Sequence, residues 1–171
     1  MFSTVRHACF ASIALLLITS TGQAGQTCRD SILSSTPDDR FDVNSDGTVS
    51  DTATGLMWKR CAEGQAGTDC TGSHTNYTWQ KALEHAQQTS FANYDDWRLP
   101  NINELQSIIE QRCFFPAINL TVFPNTTTYT WSASTYATYS RNAWHVDFKV
   151  GHVSPRSKKN SLAVRLVRGG Q

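Results

Sequence analysis

The chain has 171 residues, a formal net charge of +1, and a composition that is 39% hydrophobic and 17% charged. No segment is biased enough in composition to be a linker and no internal repeat is present, which excludes a repeat protein. We expect one domain with a substantial aromatic core and no nucleic-acid partner.

Residues 1–24 have the pattern of a secretory signal peptide. Arg6 and His7 precede an apolar run from Ala8 to Ile18, and small or polar residues follow up to Ala24. This pattern predicts cleavage after Ala24 and export to the periplasm, the cell surface or the medium. The apolar run is too short to span a bilayer comfortably, so we expect no membrane span after the signal is removed.

Four cysteines remain after residue 24, namely Cys28, Cys61, Cys70 and Cys113. An even number in an exported chain implies two disulfides, with three pairings open in principle. Cys61 and Cys70 flank a glycine-rich loop, so we expect a local bridge there and a second bridge, Cys28–Cys113, worth about 4 kcal/mol. The spacing has no C-x-x-C pair, which disfavours the alternative of a zinc site.

Residues 25–39 are predicted to be an N-terminal extension tied down by Cys28, and residues 40–168 to be the domain itself. Near its start, Asp42, Asn44 and Asp46 match the first half of a calcium-binding loop. The second half fails, because Ala53 stands where a bidentate glutamate is needed. We therefore favour a hairpin turn at Asp46-Gly47 and keep calcium as the weaker alternative; no other cofactor is expected.

Two helices are predicted in the middle of the chain. Trp79, Ala82, Leu83 and Ala86 recur at helical spacing after Thr78, a plausible N-cap. The second helix begins near Asn101, which forms a capping-box pattern with Glu104. Its apolar face consists of Ile102, Leu105, Ile108 and Ile109.

The last third of the chain reads as strands and a basic loop. Residues 126–134 suit a strand, and residues 142–150 alternate, which predicts Trp144, Val146, Phe148 and Val150 inward. His145, Asp147 and Lys149 are then expected to face outward. Residues 154–161 read as a polar, basic loop, and residues 162–167 as a closing core strand.

Charge is unevenly distributed along the chain. From Arg141 onward seven basic residues accompany one acidic residue, Asp147, whereas residues 25–171 as a whole are neutral. If the strands are adjacent, the basic groups converge on a surface suited to an anionic, for example sulfated, polysaccharide. The predicted ligand-binding residues are Arg141, His145, Lys149, Arg156, Lys158 and Lys159.

Catalysis is not expected from the motifs. The chain contains no G-x-S-x-G, H-E-x-x-H, P-loop or dinucleotide-binding turn. Asp95 and Asp96 are adjacent and point apart in an extended segment, which makes them a poor acid–base pair.

Several motifs in order resemble the C-terminal domain family of the Legionella collagen-like protein (Lcl), formerly a domain of unknown function. They are the residues Asp96-Trp97-Arg98-Leu99-Pro100-Asn101 with Glu104-Leu105, Asp46-Gly47-Thr48-Val49, Thr54-Gly55-Leu56-Met57-Trp58, and Val164-Arg165-Leu166-Val167-Arg168. We interpret Trp58, Asp96, Trp97, Arg98, Leu99, Pro100 and Glu104 as structural members of this motif set.

The resemblance implies an α+β, C-type-lectin-like fold in which the closing strand pairs with the N-terminal strand. It also implies binding of sulfated polysaccharides and assembly into oligomers, although this chain lacks the collagen repeat that drives trimers. The alternatives are a structural or assembly module that contacts a surface protein, and an enzyme of the formylglycine-generating type. The latter depends on reactive cysteines, whereas the four cysteines here are better explained as disulfides.

Overall fold

The computed structural model describes residues 25–126 and 129–169. The predicted signal peptide, residues 1–24, lies outside them. The described chain is α+β, with two short helices, several short antiparallel sheets and two disulfides, as predicted. No helix in these ranges is long and apolar enough to cross a membrane.

The described elements, in chain order, are β1 (Thr27–Cys28), β2 (Phe41–Val43), β3 (Thr48–Asp51), β4 (Leu56–Lys59), β5 (Tyr77–Thr78), α1 (Trp79–Gln88), α2 (Ile102–Gln106), β6 (Cys113–Phe114), β7 (Tyr129–Thr135), β8 (Asn142–Asp147), β9 (His152–Ser157), β10 (Ser161–Leu162) and β11 (Val167–Gly169). A single 3-10 turn, Asp38–Arg40, precedes β2.

The strands form two main sheets and two small pairs. One sheet has the order β11-β4-β3-β2, and the other has the order β7-β8-β9. The small pairs are β1-β6 and β10-β5. The closing strand β11 pairs with β4, whereas the first strand, β1, pairs with β6, so the expected pairing of the closing strand with the N-terminal strand is wrong.

The turn at Asp46-Gly47 joins β2 and β3 in an antiparallel hairpin, which confirms the preferred interpretation. Gly47 has a φ of +85°, a conformation that side-chain-bearing residues rarely adopt. Asp46 Oδ1 accepts hydrogen bonds from Thr48 N and Thr48 Oγ1, at 2.9 and 2.7 Å. The carboxylate therefore closes the turn from inside the hairpin.

Both helices begin where predicted. Thr78 is the N-cap residue of α1. Asn101 and Glu104 form a full capping box at α2. This second helix has only five residues, and Ile108 and Ile109, expected on its face, are buried just beyond its end.

Two apolar clusters make up the core. The first gathers around Trp58, Leu105 and Phe123, between the four-stranded sheet and α2. The second gathers around Trp97, Trp131 and Val164, beneath α1. Trp58 and Trp131 are fully buried and make up much of the core volume.

Both predicted disulfides are present. Cys28–Cys113 joins β1 to β6 at directly opposed positions. Beside this bridge, the buried carboxylate of Glu110 accepts hydrogen bonds from Ser34 Oγ, Thr36 Oγ1 and Thr36 N at 2.5, 2.8 and 3.0 Å. The N-terminal extension is thus fastened covalently and by a buried carboxylate.

The late strands differ from prediction in several ways. The expected closing strand, residues 162–167, is strand only at its two ends, because β10 ends at Leu162 and β11 begins at Val167. Trp144, expected inward, is half-buried. Val146 and Phe148 are buried as expected, but His145, expected outside, is 3% exposed, because both faces of β8 are covered. Val150 is 49% exposed because β8 ends at Asp147, where Gly151 N donates to the Asp147 carbonyl in a turn. The expected basic loop, residues 154–161, is largely strand: β9 and β10 take up most of it.

Candidate functional site

Three of the predicted ligand residues meet at one end of the β8–β9 hairpin. Lys158 follows β9, and its backbone N–H donates to the carbonyl of Arg141, just before β8, at 2.9 Å. Lys159 comes next in the turn to β10. Arg141 and Lys159 are exposed, and Lys158 is half-buried. We call Arg141, Lys158 and Lys159 the basic cluster.

A groove of about 620 Å³ lies against the basic cluster, lined by Thr78, Trp79, Gln80, Lys158 and Lys159. The Lys158 ammonium lies 4.0 Å from the centre of the Trp79 ring and donates to Thr135 Oγ1 at 3.1 Å. Trp79 is itself held in place, because its indole N–H donates to the Ser132 carbonyl at 2.9 Å. The cation is therefore placed over an aromatic face, a favourable arrangement at a partly exposed site.

Arg156 lies beside the basic cluster. It belongs to β9, opposite Ala143, and is two residues before Lys158, which lies in the turn after this strand. Its guanidinium lies 4.4 Å from the centre of the Tyr129 ring. Arg156 thus extends the positive surface along the hairpin.

His145 and Lys149 do not join this surface. His145 is buried between Tyr129 and Trp131, with ring centres 5.5 and 6.2 Å away, and burial lowers its pKa. A buried neutral imidazole contributes no positive charge to an external ligand. Lys149 is exposed at the opposite end of β8, about 20 Å along the strand, with its ammonium 5.3 Å from the Phe115 ring.

Two other basic residues of the last third are structural. Arg165 is 1% exposed, donates to the carbonyls of Lys59 and Arg60, and has its pKa lowered by burial. Arg168 donates to Asp96 Oδ1 at 2.6 Å. The positive surface is therefore smaller than the sequence count indicates.

The three candidate calcium ligands, Asp42, Asn44 and Asp46, lie in the β2–β3 hairpin. Asn44 Nδ2 donates to Thr48 Oγ1 and Ser50 Oγ, at 2.9 and 3.3 Å. Asp42 lies in β2, opposite Ser50. Within residues 25–126 and 129–169 no group of three or more acidic, histidine or cysteine side chains is arranged around a common metal position.

A second, smaller cleft of about 290 Å³ separates this hairpin from the Cys61–Cys70 loop. At its edge Lys59 Nζ lies 2.6 Å from Glu63 Oε1, and His85 Nε2 lies 2.7 Å from Glu63 Oε2. His85 is therefore a partner of a buried carboxylate. None of the predicted cationic ligand residues lines this cleft.

The tryptophan–arginine stretch ties α2 to the last strand. Arg98 donates two hydrogen bonds to the Glu104 carboxylate, each 2.8 Å, and exchanges backbone hydrogen bonds with Val167 at 2.9 and 3.0 Å. The guanidinium of Arg168 lies 3.8 Å from the centre of the Tyr94 ring while it contacts Asp96. The motifs at residues 96–104 and 164–168 thus form one structural unit.

A family model, the Lcl C-terminal domain, matches residues 47–168. The chain belongs to this family. A search of curated proteins gave no match.

In this Lcl C-terminal domain the motif residues are buried or paired. Trp58, Trp97 and Leu99 are buried in the core, and Pro100 accepts a hydrogen bond from Ala133 N at 2.7 Å through its carbonyl. The exposed residues Arg98 and Asp96 are each paired with an opposite charge.

Trp79 and Thr135 are site residues that the sequence interpretation missed. Trp79 was assigned only to the apolar face of α1. Its contact with Lys158 depends on the pairing of β5 with β10, which brings Thr78 opposite Ser161. Sequence patterns over a few neighbouring residues do not predict that Thr78 pairs with Ser161.

Proposed function

We propose that this Lcl C-terminal domain is an exported, non-catalytic module that binds anionic polysaccharides, sulfated ones in particular. The observation that carries the proposal is the basic cluster of Arg141, Lys158 and Lys159, bordered by Arg156 and by the Trp79 groove. Ammonium and guanidinium groups are the natural donors to sulfate and carboxylate groups.

The geometry favours an extended polyanion over a small anion. The groove is open and the cations are spread along the hairpin end, so several weak contacts act together. Each exposed contact is weakened by salt, and useful affinity requires several contacts or several copies of the domain. The resemblance to the collagen-like adhesin's domain points to the same ligand class.

Two features support export and a non-catalytic role. All four cysteines after residue 24 are paired in disulfides, which is typical of proteins in oxidising compartments. Cysteine-dependent chemistry of the formylglycine-generating type requires a reactive thiolate, and paired cysteines do not supply one. We also propose, from the resemblance, that the fold is C-type-lectin-like; β11 lies in one sheet with β2, β3 and β4, although it pairs with β4 and not with the first strand.

The test is retention of the oxidised domain, residues 25–171, on immobilised heparin. We expect the Lys158→Ala/Lys159→Ala double variant to elute at a clearly lower salt concentration than the native domain. Lys149→Ala is the matched control, because it removes one exposed positive charge at the far end of β8. The Lys158→Arg/Lys159→Arg variant retains both charges and should elute near the native position. Equal elution of the double alanine variant and the native domain would contradict the proposal.

A further inference from the structure

The five tryptophans do not have equivalent environments. The indole N–H groups of Trp79, Trp97 and Trp131 donate to backbone carbonyls of Ser132, Phe91 and Tyr77, at 2.9 to 3.0 Å. Trp58 is fully buried in the core. Trp144 is half-buried. Its indole N–H has no hydrogen-bond acceptor among the described residues, and the nitrogen is accessible to solvent. Trp144 is therefore the tryptophan whose hydrogen-bond donor is free for a ligand.

Two tyrosines lie beside Trp144 at the β7–β8 turn. The Tyr136 ring meets the Trp144 ring edge to face, with centres 5.0 Å apart and an interplanar angle of 83°. Tyr139 lies 6.1 Å from Tyr136 and is 65% exposed. Neither phenol makes a hydrogen bond within residues 25–126 and 129–169. We call Tyr136, Tyr139 and Trp144 the aromatic cluster.

Backbone hydrogen bonds order the turn that carries the two tyrosines. Tyr136 N donates to the Asn142 carbonyl at 3.0 Å, and Asn142 N donates to the Tyr139 carbonyl at 2.8 Å. Each of these side chains has only two rotatable bonds, so fixing it in a complex costs little conformational entropy. Tyr and Trp present an apolar ring together with a polar group, which suits a ligand that has both kinds of surface.

The surroundings favour a sugar over a protein partner. The turn consists mostly of small and hydroxyl-bearing residues, with the sequence Thr-Tyr-Ala-Thr-Tyr-Ser over residues 135–140. The described exposed aliphatic residues, Ile32, Leu33, Val43 and Val150, are all in other elements. Protein interfaces usually bury their aromatic anchors within a larger apolar centre, and no exposed aliphatic residue of the described ranges lies in this turn to extend one. A sugar ring has an apolar C–H face for stacking and rim hydroxyls for the free phenol and indole groups.

We propose that the aromatic cluster is a stacking site for the uncharged face of a sugar ring. This inference adds a second contact site to the proposed function. It rests on that proposal in one respect, that the ligand is a polysaccharide. Lys158 donates to Thr135, which precedes Tyr136 in the chain. Thr135 ends β7 and Tyr136 begins the turn, so a polysaccharide that contacts both sites passes this end of the sheet.

The test measures affinity by calorimetry for two probes: a heparin oligosaccharide and the same oligosaccharide after complete desulfation. We expect Tyr139→Ala to weaken binding of both probes about three- to tenfold, with an unchanged dependence on salt. Tyr139→Phe keeps the ring and should lose about twofold or less. Phe115→Ala is the matched control, since Phe115 is an exposed aromatic residue near the opposite end of β8.

The outcomes separate the two proposals. If Tyr139→Ala binds both probes as the native domain does, the stacking site is refuted. If Tyr139→Ala weakens both probes while Lys158→Ala/Lys159→Ala changes neither affinity nor salt dependence, the stacking site stands and the anionic-ligand proposal is refuted. If the native domain binds neither probe, both are refuted.

Discussion

Lys158 and Trp79 are in direct contact, with the ammonium 4.0 Å from the centre of the indole ring, although 79 positions separate them in the chain. The Trp79 N–H donates to the Lys158 carbonyl at 3.2 Å, so the backbone fixes the same pair. A lysine that is held over a ring loses less conformational entropy when it binds an anion. This contact is why we place the ligand surface at the end of the β8–β9 hairpin.

The buried Glu110 carboxylate should make the free energy of unfolding depend on pH in the acid range. Burial by itself would raise its pKa, but hydrogen bonds from Ser34, Thr36 and the Arg112 backbone lower the pKa to about 2. Because the folded pKa lies below the ordinary value of 4.5, the contribution is complete above about pH 4.5 and is lost as pH falls toward 2. We expect a loss of up to about 3 kcal/mol over this range, measured by urea unfolding.

The control for this experiment is the exposed Glu84 on α1. Glu110→Gln should lower the free energy of unfolding at pH 7 and reduce the acid dependence; the part that remains comes from Asp51, Asp96 and Glu104, whose pKa values are also lowered by their hydrogen-bond partners. Glu84→Gln should leave both nearly unchanged. If Glu110→Gln lost as much stability at acid pH as the native domain, the Glu110 carboxylate would not be the cause of that loss.

Glu104 should stabilise the start of α2 in two ways. Its carboxylate accepts two hydrogen bonds from Arg98 and one from Asn101 N at 2.7 Å. We expect Glu104→Ala to reduce the free energy of unfolding by about 1–2 kcal/mol, because both the cap and the ion pair are lost. Thermal or urea unfolding measures this, and a change below about 0.5 kcal/mol would contradict it.

The two disulfides should differ in their effect on stability. Cys28–Cys113 closes a loop with a sequence separation of 85, and Cys61–Cys70 one with a separation of 9. On the chain-entropy estimate, replacing both cysteines of a pair by serine costs about 4.5 kcal/mol for the long loop and about 2.5 kcal/mol for the short one. Intact mass of the unreduced protein should also show no free thiol. The reverse order of stability would contradict the estimate.

Asp46 separates the hairpin interpretation from the calcium alternative. Because its carboxylate accepts from Thr48 N and Oγ1, Asp46→Ala should lower the melting temperature equally with chelator and with millimolar calcium. Asp42→Ala, in β2, should have little effect in either buffer. A calcium-induced rise in the native melting temperature that both variants abolish would support the calcium site.

Local patterns in the sequence predicted the parts of the fold that depend on neighbouring residues. The Asp46-Gly47 hairpin, the Asn101–Glu104 cap and the Cys61–Cys70 bridge are all formed within about ten residues. The Cys28–Cys113 bridge followed once the local pair was assigned. These features are confirmed because short-range geometry leaves few alternatives.

The candidate site was predicted less well because it depends on tertiary contacts. Alternation in β8 assumes one solvated face, but Tyr129, Trp131 and Arg156 cover His145 from neighbouring strands. Alternation also continues past Asp147 in the sequence, whereas the strand does not, so Val150 and Lys149 lie in a turn. The ligand role of the remaining basic residues stays a prediction.

The most direct test of an anionic-polysaccharide surface is binding of the oxidised native domain to heparin and to an uncharged polysaccharide across a salt series. We predict that the domain binds heparin at low salt, that this affinity falls steadily as salt increases, and that the uncharged polymer binds more weakly with little salt dependence. Binding of neither polymer, or heparin binding that salt does not weaken, would contradict the central claim.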